Sequence, residues 1–319
     1  MTTQLQDIFL TTPMVNALHE TLFRWIFAGY TGGLVTGDAR LGKSQAMLAF
    51  EENLNTLFKA HQTRQQEPAQ ETIRVFYVSF SPRDKNTIRS VFLHLALNLG
   101  WNGGRSVKTA DDFKIFISEK LADAAQCNSQ RRVVIIVDEA QELSLGQLSV
   151  FAELFNQQVL LRNHLVVFFV ANRERFLSLA KDLQSAENRY LRERFFHNVY
   201  LFFGIQTYEE LVDCLDLFEH HPIAPDLNTS VLEYYCPNMA AAGDSLKEVA
   251  EILWQEYHAG YAEPLRLSSW GMTYFTRTVT IMVRDYFPRY WSTNPDEQIQ
   301  IIRHSLEASG LRPTLSSIF

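Results

Sequence analysis

Two glycines, Gly37 and Gly42, bracket four residues, and Lys43 and Ser44 follow at once. The octapeptide GDARLGKS fits G-x-x-x-x-G-K-[ST], the spacing that wraps a phosphate chain. Glycine at both ends lets the backbone of Gly37, Asp38, Ala39, Arg40, Leu41 and Gly42 turn successive N–H groups inward onto phosphate oxygens. A helix opening at Gly42–Lys43 adds its positive end, with Gln45 in the first turn. Lys43 would reach the β- and γ-phosphates, and the Ser44 hydroxyl would ligate Mg²⁺.

VVIIVDEA supplies the complementary half: an apolar run that delivers Asp138 and Glu139 at its tip. Asp138 would hold the metal directly or through water, and Glu139 would polarise the attacking water. The metal needs only one of these acids, so the second implies hydrolysis of ATP and not binding alone. Asn172 closes the next apolar run, HLVVFFVAN, placed to hydrogen-bond the γ-phosphate or that water; a strand-end Asn is also a common turn residue. ENRYLRERFFHN carries Arg189, Arg192 and Arg194. Arg194 or Arg192, presented to a neighbouring subunit, would offset transition-state charge; the same three also read as a solvated basic helix face.

These groups need elements to hold them. GGLVTG, Ile73–Phe80, VVIIVDEA and HLVVFFVAN are uniformly apolar strands, and helical spacing fills the segments around them: Met14–Ala28, SQAMLAFEENLNTLFKA, Asn86–Leu99, Ala110–Ala125 and QLSVFAELFNQQVL. Apolar strands alternating with helices predict an α/β fold, a mostly parallel sheet covered on both faces. Such sheets bind ligands at the carboxyl ends of their strands, and the candidate polar groups all follow strand ends. Past Gln206 the strand runs stop and helices take over. The expected division is an α/β nucleotide-binding core over residues 1–205, a smaller α-helical lid over 206–263 and a helical C-terminal extension over 264–319.

The totals narrow the class. With 46% hydrophobic and 20% charged residues, the chain is a globular protein with a core. No apolar run approaches the roughly 20 residues of a membrane-spanning helix, and MTTQLQDIFL has no basic segment leading an apolar one, so a cytoplasmic, bacterial protein without membrane partners is expected. Cys127, Cys214 and Cys236 are odd in number and lack zinc-like spacing; they read as free thiols in a reducing compartment. His220–His221 reads as a surface pair. A net charge of −7 argues against indiscriminate nucleic-acid binding and leaves a local basic face open.

The phosphate loop, the DE-ending strand, the strand-tip Asn and the LRERF segment, in that order, resemble the AAA+ P-loop ATPases over about residues 14–260. With the Glu193-Arg194-Phe195 segment and short lid helices, the arrangement is similar to the TnsC/TniB group, transposition regulators of Tn-seven-like elements, including the CRISPR-associated versions. That resemblance implies nucleotide between adjacent protomers and a homo-oligomeric ring or filament assembled with ATP around double-stranded DNA. It implies as partners a TnsB-like transposase, with or without a TnsA-like endonuclease, and a TniQ/TnsD-like targeting protein. The group's DNA contacts come from loops and helix starts after the second and third strands, assigned here to SPRDKNTIRS and GGRSVKTADDF. Arg83, Lys85, Arg89, Arg105 and Lys108 there form a local basic excess, and Thr109 would donate to phosphates, independent of base sequence; scattered surface charge is the competing reading. Where family lids carry a Gly-Arg that touches the γ-phosphate, this chain has GDSLKEVAEIL with Lys247 the only nearby cation. Slow turnover and a long-lived ATP state follow. A P-loop ATPase of secretion or signalling acting on protein, and a non-hydrolysing nucleotide-dependent scaffold, are the rival readings. The adenine pocket is assigned to Leu10–Met14.

Overall fold

The computed structural model describes residues 5, 8–62, 71–82, 87–103, 109–224, 227–292 and 294–311. They fall into two compact units: Ala17–Asp38 with Lys43–Phe202, and Met1–Asn16 with Ala39–Gly42 and Phe203–Phe319.

The first unit is built on five parallel strands. In chain order its elements are α1 (Pro13–Phe27, entering from the other unit), β1 (Gly32–Gly37), α2 (Lys43–Leu48), α3 (Phe50–Gln62), β2 (Arg74–Ser79), α4 (Ile88–Asn98), α5 (Ala110–Ala125), β3 (Arg132–Asp138), α6 (Leu145–Leu160), β4 (His164–Asn172), α7 (Arg173–Leu183), α8 (Arg189–Phe195) and β5 (Val199–Leu201). The sheet order is β2-β3-β4-β1-β5, and every pairing is parallel. Strand side chains alternate between faces. Val133, Ile135, Val137, Leu165, Val167 and Phe169 pack against apolar residues of α4, α5 and α6, among them Leu95, Ile117 and Phe151. Their neighbours Val134, Ile136, Val166 and Phe168 are also buried, on the other face. There Phe168 meets Phe50 of α3 edge-on at 6.1 Å and Trp25 of α1 at 6.3 Å. Apolar residues on both sides are the reason these strands read as continuous hydrophobic runs.

Strand β1 leads through α2 and α3 to β2 at one edge, whereas its neighbour β4 leads through α7 and α8 to β5 at the other. Where adjacent strands send their connections apart, a crevice opens at their carboxyl ends. Gly37 and Asn172 are register partners at that point. Ser79 and Asp138 are partners one strand pair along.

The second unit is mainly helical, with helices Tyr208–Glu219, Val231–Tyr235, Pro237–Ala242, Ala250–Tyr257, Met272–Ile281 and Pro295–Ala308 and a short antiparallel pair, Pro222–Ala224 with Leu227–Ser230. Leu215, Phe218, Leu253, Tyr257, Trp270, Phe275, Val279 and Ile302 share one core. Tyr257 stacks on Trp270 with 4.2 Å between ring centres. Ile205 and Trp270 exchange backbone hydrogen bonds of 3.0 and 2.8 Å. Gly204 makes that approach possible, because a Cβ there would stand 2.0 Å from the Trp270 carbonyl oxygen.

Several local expectations change. The single helix expected over SQAMLAFEENLNTLFKA is interrupted at Ala49. The helix expected over DSLKEVAEILWQEYHAG is three segments: a 3₁₀ turn, Leu246–Val249, then Ala250–Tyr257, then a π-turn, His258–Ala262. Strand β5, not among the expected strands, has only three residues, two of them exposed, at the start of the apolar run VYLFF. GGRSVKTADDF runs between α4 and α5, ahead of β3, so both assigned basic segments lie between the second and third strands. Among the described residues no helix is long and apolar enough to cross a membrane.

Candidate nucleotide-binding site

The loop after β1 departs from ordinary backbone at two places: Arg40 has φ 62° and Gly42 has φ 97°. Gly42 stands in the left-handed region that costs a Cβ-bearing residue about 1 kcal/mol or more, which is why a glycine ends the loop. The loop middle, Ala39–Gly42, groups with the helical unit. There the Arg40 guanidinium donates to the Tyr274 hydroxyl at 2.9 Å and lies 5.3 Å from that ring's centre. The Arg40 carbonyl accepts from Thr273 N at 3.3 Å. Leu41 is buried, and Asp38, Ala39 and Arg40 are exposed.

Lys43 opens α2 with its side chain 9% exposed. Its ammonium donates to the Gly37 carbonyl at 2.9 Å and to the Asp38 carbonyl. Burial pulls Lys43 below its ordinary pKa, while the carboxylates of Asp138, Glu139 and Asp38 oppose the shift. A cation held in that field suits the β- and γ-phosphates of a nucleotide. Ser44 is half-buried, and Gln45 is exposed on the first turn of α2.

Asp138 ends β3 and is 4% exposed. Its Oδ1 accepts from the Glu139 backbone N–H at 2.9 Å, and its Oδ2 accepts from the Tyr77 hydroxyl. The Ser44 side chain lies beside the same hydroxyl and opposes part of its shift. Burial, then the Asp138 bond and charge, push the Tyr77 hydroxyl well above its ordinary pKa, so it stays protonated and keeps donating. The oxygen set of Ser44 and Asp138 is the hard donor chemistry Mg²⁺ takes, and Asp138 keeps lone pairs free after both bonds. The residues therefore fit the ion.

Glu139 follows in the left-handed region, φ 55° and ψ 41°. Gln141 holds it there: its amide nitrogen donates to Glu139 Oε2, and its amide oxygen accepts from the Asn172 backbone N–H at 3.0 Å. One side chain thus ties the tip of β3 to the tip of β4. Asn172 also caps α7, its Oδ1 accepting from Arg175 N at 3.1 Å. The turn reading and the strand-tip placement of Asn172 both hold.

The arginines of α8 each have a partner. Arg189 pairs with Glu193 at 2.6 Å, and Arg192 donates to the Gln184 carbonyl at 3.0 Å. Half-buried Arg194 lies 4.7 Å from the Phe155 ring centre and donates to the Ala152 carbonyl at 3.4 Å. Lys247 pairs with Asp216 at 2.5 Å. Asp216, Glu219 and His220 cluster, but Lys247 engages the first, and Ser245 and Leu246 N donate to the second. Arg83, Lys85, Arg105 and Lys108 lie outside the described residues. Arg89 is exposed, 5.6 Å from the Phe113 ring centre. Thr109 caps α5, accepting from Asp112 N at 3.2 Å. Leu10 is buried in the helical core.

Tyr77 and Gln141 are site residues that sequence reasoning missed. Gln141 had a signal, since it follows two residues after Glu139; Tyr77 had none until the register of β2 against β3 was known.

A family described as an AAA domain matches residues 28–178, from the approach to β1 into α7. No curated protein matches the chain in sequence. Among solved structures, a Walker-type ATPase of Pyrococcus abyssi, paby2304, is 14% identical with a TM-score of 0.51, covering 99% of this chain and 76% of that one. The Drosophila ORC bound to DNA is 14% identical with a TM-score of 0.50, covering 92% and 67%. The Aeropyrum pernix ORC1 protein in complex with DNA is 15% identical with a TM-score of 0.45, covering 98% and 85%. At these identities the likeness is one of fold. The fold is that of the AAA+ P-loop proteins, an α/β core followed by a helical part.

Proposed function

We propose that the chain is an ATP-hydrolysing AAA+ regulator of DNA transposition. In this reading it assembles as a ring or filament on target duplex DNA and links a TnsB-like transposase to a TniQ/TnsD-like targeting protein. The observation that carries the enzymatic part is the convergence on buried Lys43 of Asp138, Glu139 and Asp38, with Asp138 held by the Tyr77 hydroxyl beside Ser44. The loop N–H groups and Lys43 bind the triphosphate, and Ser44 and Asp138 hold its Mg²⁺, which neutralises charge between the phosphates. Glu139 takes a proton from the attacking water. The Asn172 amide nitrogen orients that water or the γ-phosphate. Arg194, braced on Phe155, or Arg192 serves the site of a neighbouring copy. Lys247, the cation at the position of the family's lid arginine, is engaged by Asp216, which favours slow turnover.

The DNA part rests on the resemblance of the motif order to the TnsC/TniB group and on the basic excess of Arg83, Lys85, Arg89, Arg105 and Lys108. Two measurements test the whole. Phosphate release should fall about a hundredfold or more in Glu139→Gln while ATP binding stays; equal rates would leave a non-hydrolysing scaffold. With a slowly hydrolysed ATP analogue, duplex DNA should bind regardless of sequence, with affinity falling steeply as salt rises. No DNA binding at low salt would favour a protein-directed ATPase.

A further inference from the structure

The Tyr77 ring reaches from the edge strand β2 to the tip of β3, where Asp138 stands. Its hydroxyl donates to Asp138 Oδ2, with the Ser44 side chain beside it. That bond uses the hydroxyl's single proton. With Asp138 Oδ1 held by the Glu139 N–H, the two bonds together fix the plane of the carboxylate and leave its remaining lone pairs for a cation.

We propose that Tyr77 is a positioning residue of the nucleotide site, whose hydroxyl sets the orientation of the Asp138 carboxylate and thereby the site's affinity for the divalent cation. It acts through Asp138 and touches neither the phosphates nor the attacking water. This rests on the nucleotide-site reading above. Partners one bond removed from a metal commonly alter its affinity by about 10- to 100-fold when lost.

The test is a Mg²⁺ titration of the binding of a fluorescent, slowly hydrolysed ATP analogue to the full chain. In Tyr77→Phe the ring and its packing remain and only the hydroxyl goes. Half-saturating Mg²⁺ should rise about tenfold, while the affinity measured with EDTA stays that of the wild type. A residue needed only for packing would weaken both conditions alike. An unchanged midpoint in Tyr77→Phe, with the wild type binding nucleotide and responding to Mg²⁺, overturns the inference and leaves the nucleotide site standing. Absence of binding by the wild type overturns both. Should Tyr77→Phe lose its thermal unfolding transition, 3-fluorotyrosine at position 77, equal in size but with a more acidic hydroxyl, is titrated in the same way. A shifted midpoint then supports the role, and an unshifted one refutes it.

Discussion

At the scale of single residues, the site is a small set of charged groups gathered around the buried Lys43. Lys43 is legible from its neighbours in sequence, because the loop spacing alone demands a cation there. Asp138 and Glu139 are legible because two acids end an apolar run downstream of a phosphate loop, and each signal strengthens the other. Gln141 and Tyr77 acquire their roles from tertiary neighbours, and no spacing along the chain marks Tyr77. His19 is a further case, with a measurable consequence. Its Nε2 lies 2.7 Å from the Ala46 carbonyl and its Nδ1 2.7 Å from the Asn53 amide nitrogen. The neutral ring therefore donates from Nε2 and accepts at Nδ1, tying α1 to α2 and α3. Burial holds its pKa below the ordinary 6.5, with the Ala46 bond opposing. Between the lowered native pKa and 6.5 the unfolded chain binds more protons than the native one, so stability rises with pH there. We expect the melting temperature to fall as the pH drops below about 6.5, and less so in His19→Gln. A melting temperature equally pH-dependent in both proteins would remove His19 from the account.

At the scale of elements, strands β1, β3 and β4 are readable because helices cover both sheet faces, which forces uninterrupted apolar runs. The edge strand β5 keeps only three residues of the apolar run VYLFF, and Val199 and Leu201 are exposed there. The segmented helix around Ala250–Tyr257 was read as continuous because its apolar residues keep roughly helical spacing through the 3₁₀ and π turns. The order of elements also decides where close approaches fall. Gly204 sits against the Trp270 carbonyl, at the bridge that fastens the segment following β5 within the helical unit. Gly204→Ala must displace that backbone or break the bridge. A loss of about 2 kcal/mol in unfolding free energy is expected from such overpacking, read as a lower urea midpoint. An unchanged midpoint would mean that Gly204 and Trp270 do not approach as described.

At the scale of the whole molecule, an α/β unit with a match to an AAA family over residues 28–178 and a helical unit occupy one chain of net charge −7. That charge makes tight DNA binding by one copy unfavourable, and the proposed assembly answers it by repeating modest contacts around the duplex. All of this depends on the loop from Gly37 to Ser44 and the acids at the tip of β3 gripping one nucleotide and its magnesium. Equilibrium binding of labelled ATP in the presence of Mg²⁺, compared between the wild type and Lys43→Ala, tests it most directly. Saturable binding by the wild type, weakened at least a hundredfold by loss of the buried ammonium that pairs with phosphate, is the expected result. The contrary result is a wild type that takes up no ATP, or a Lys43→Ala protein that binds it equally well.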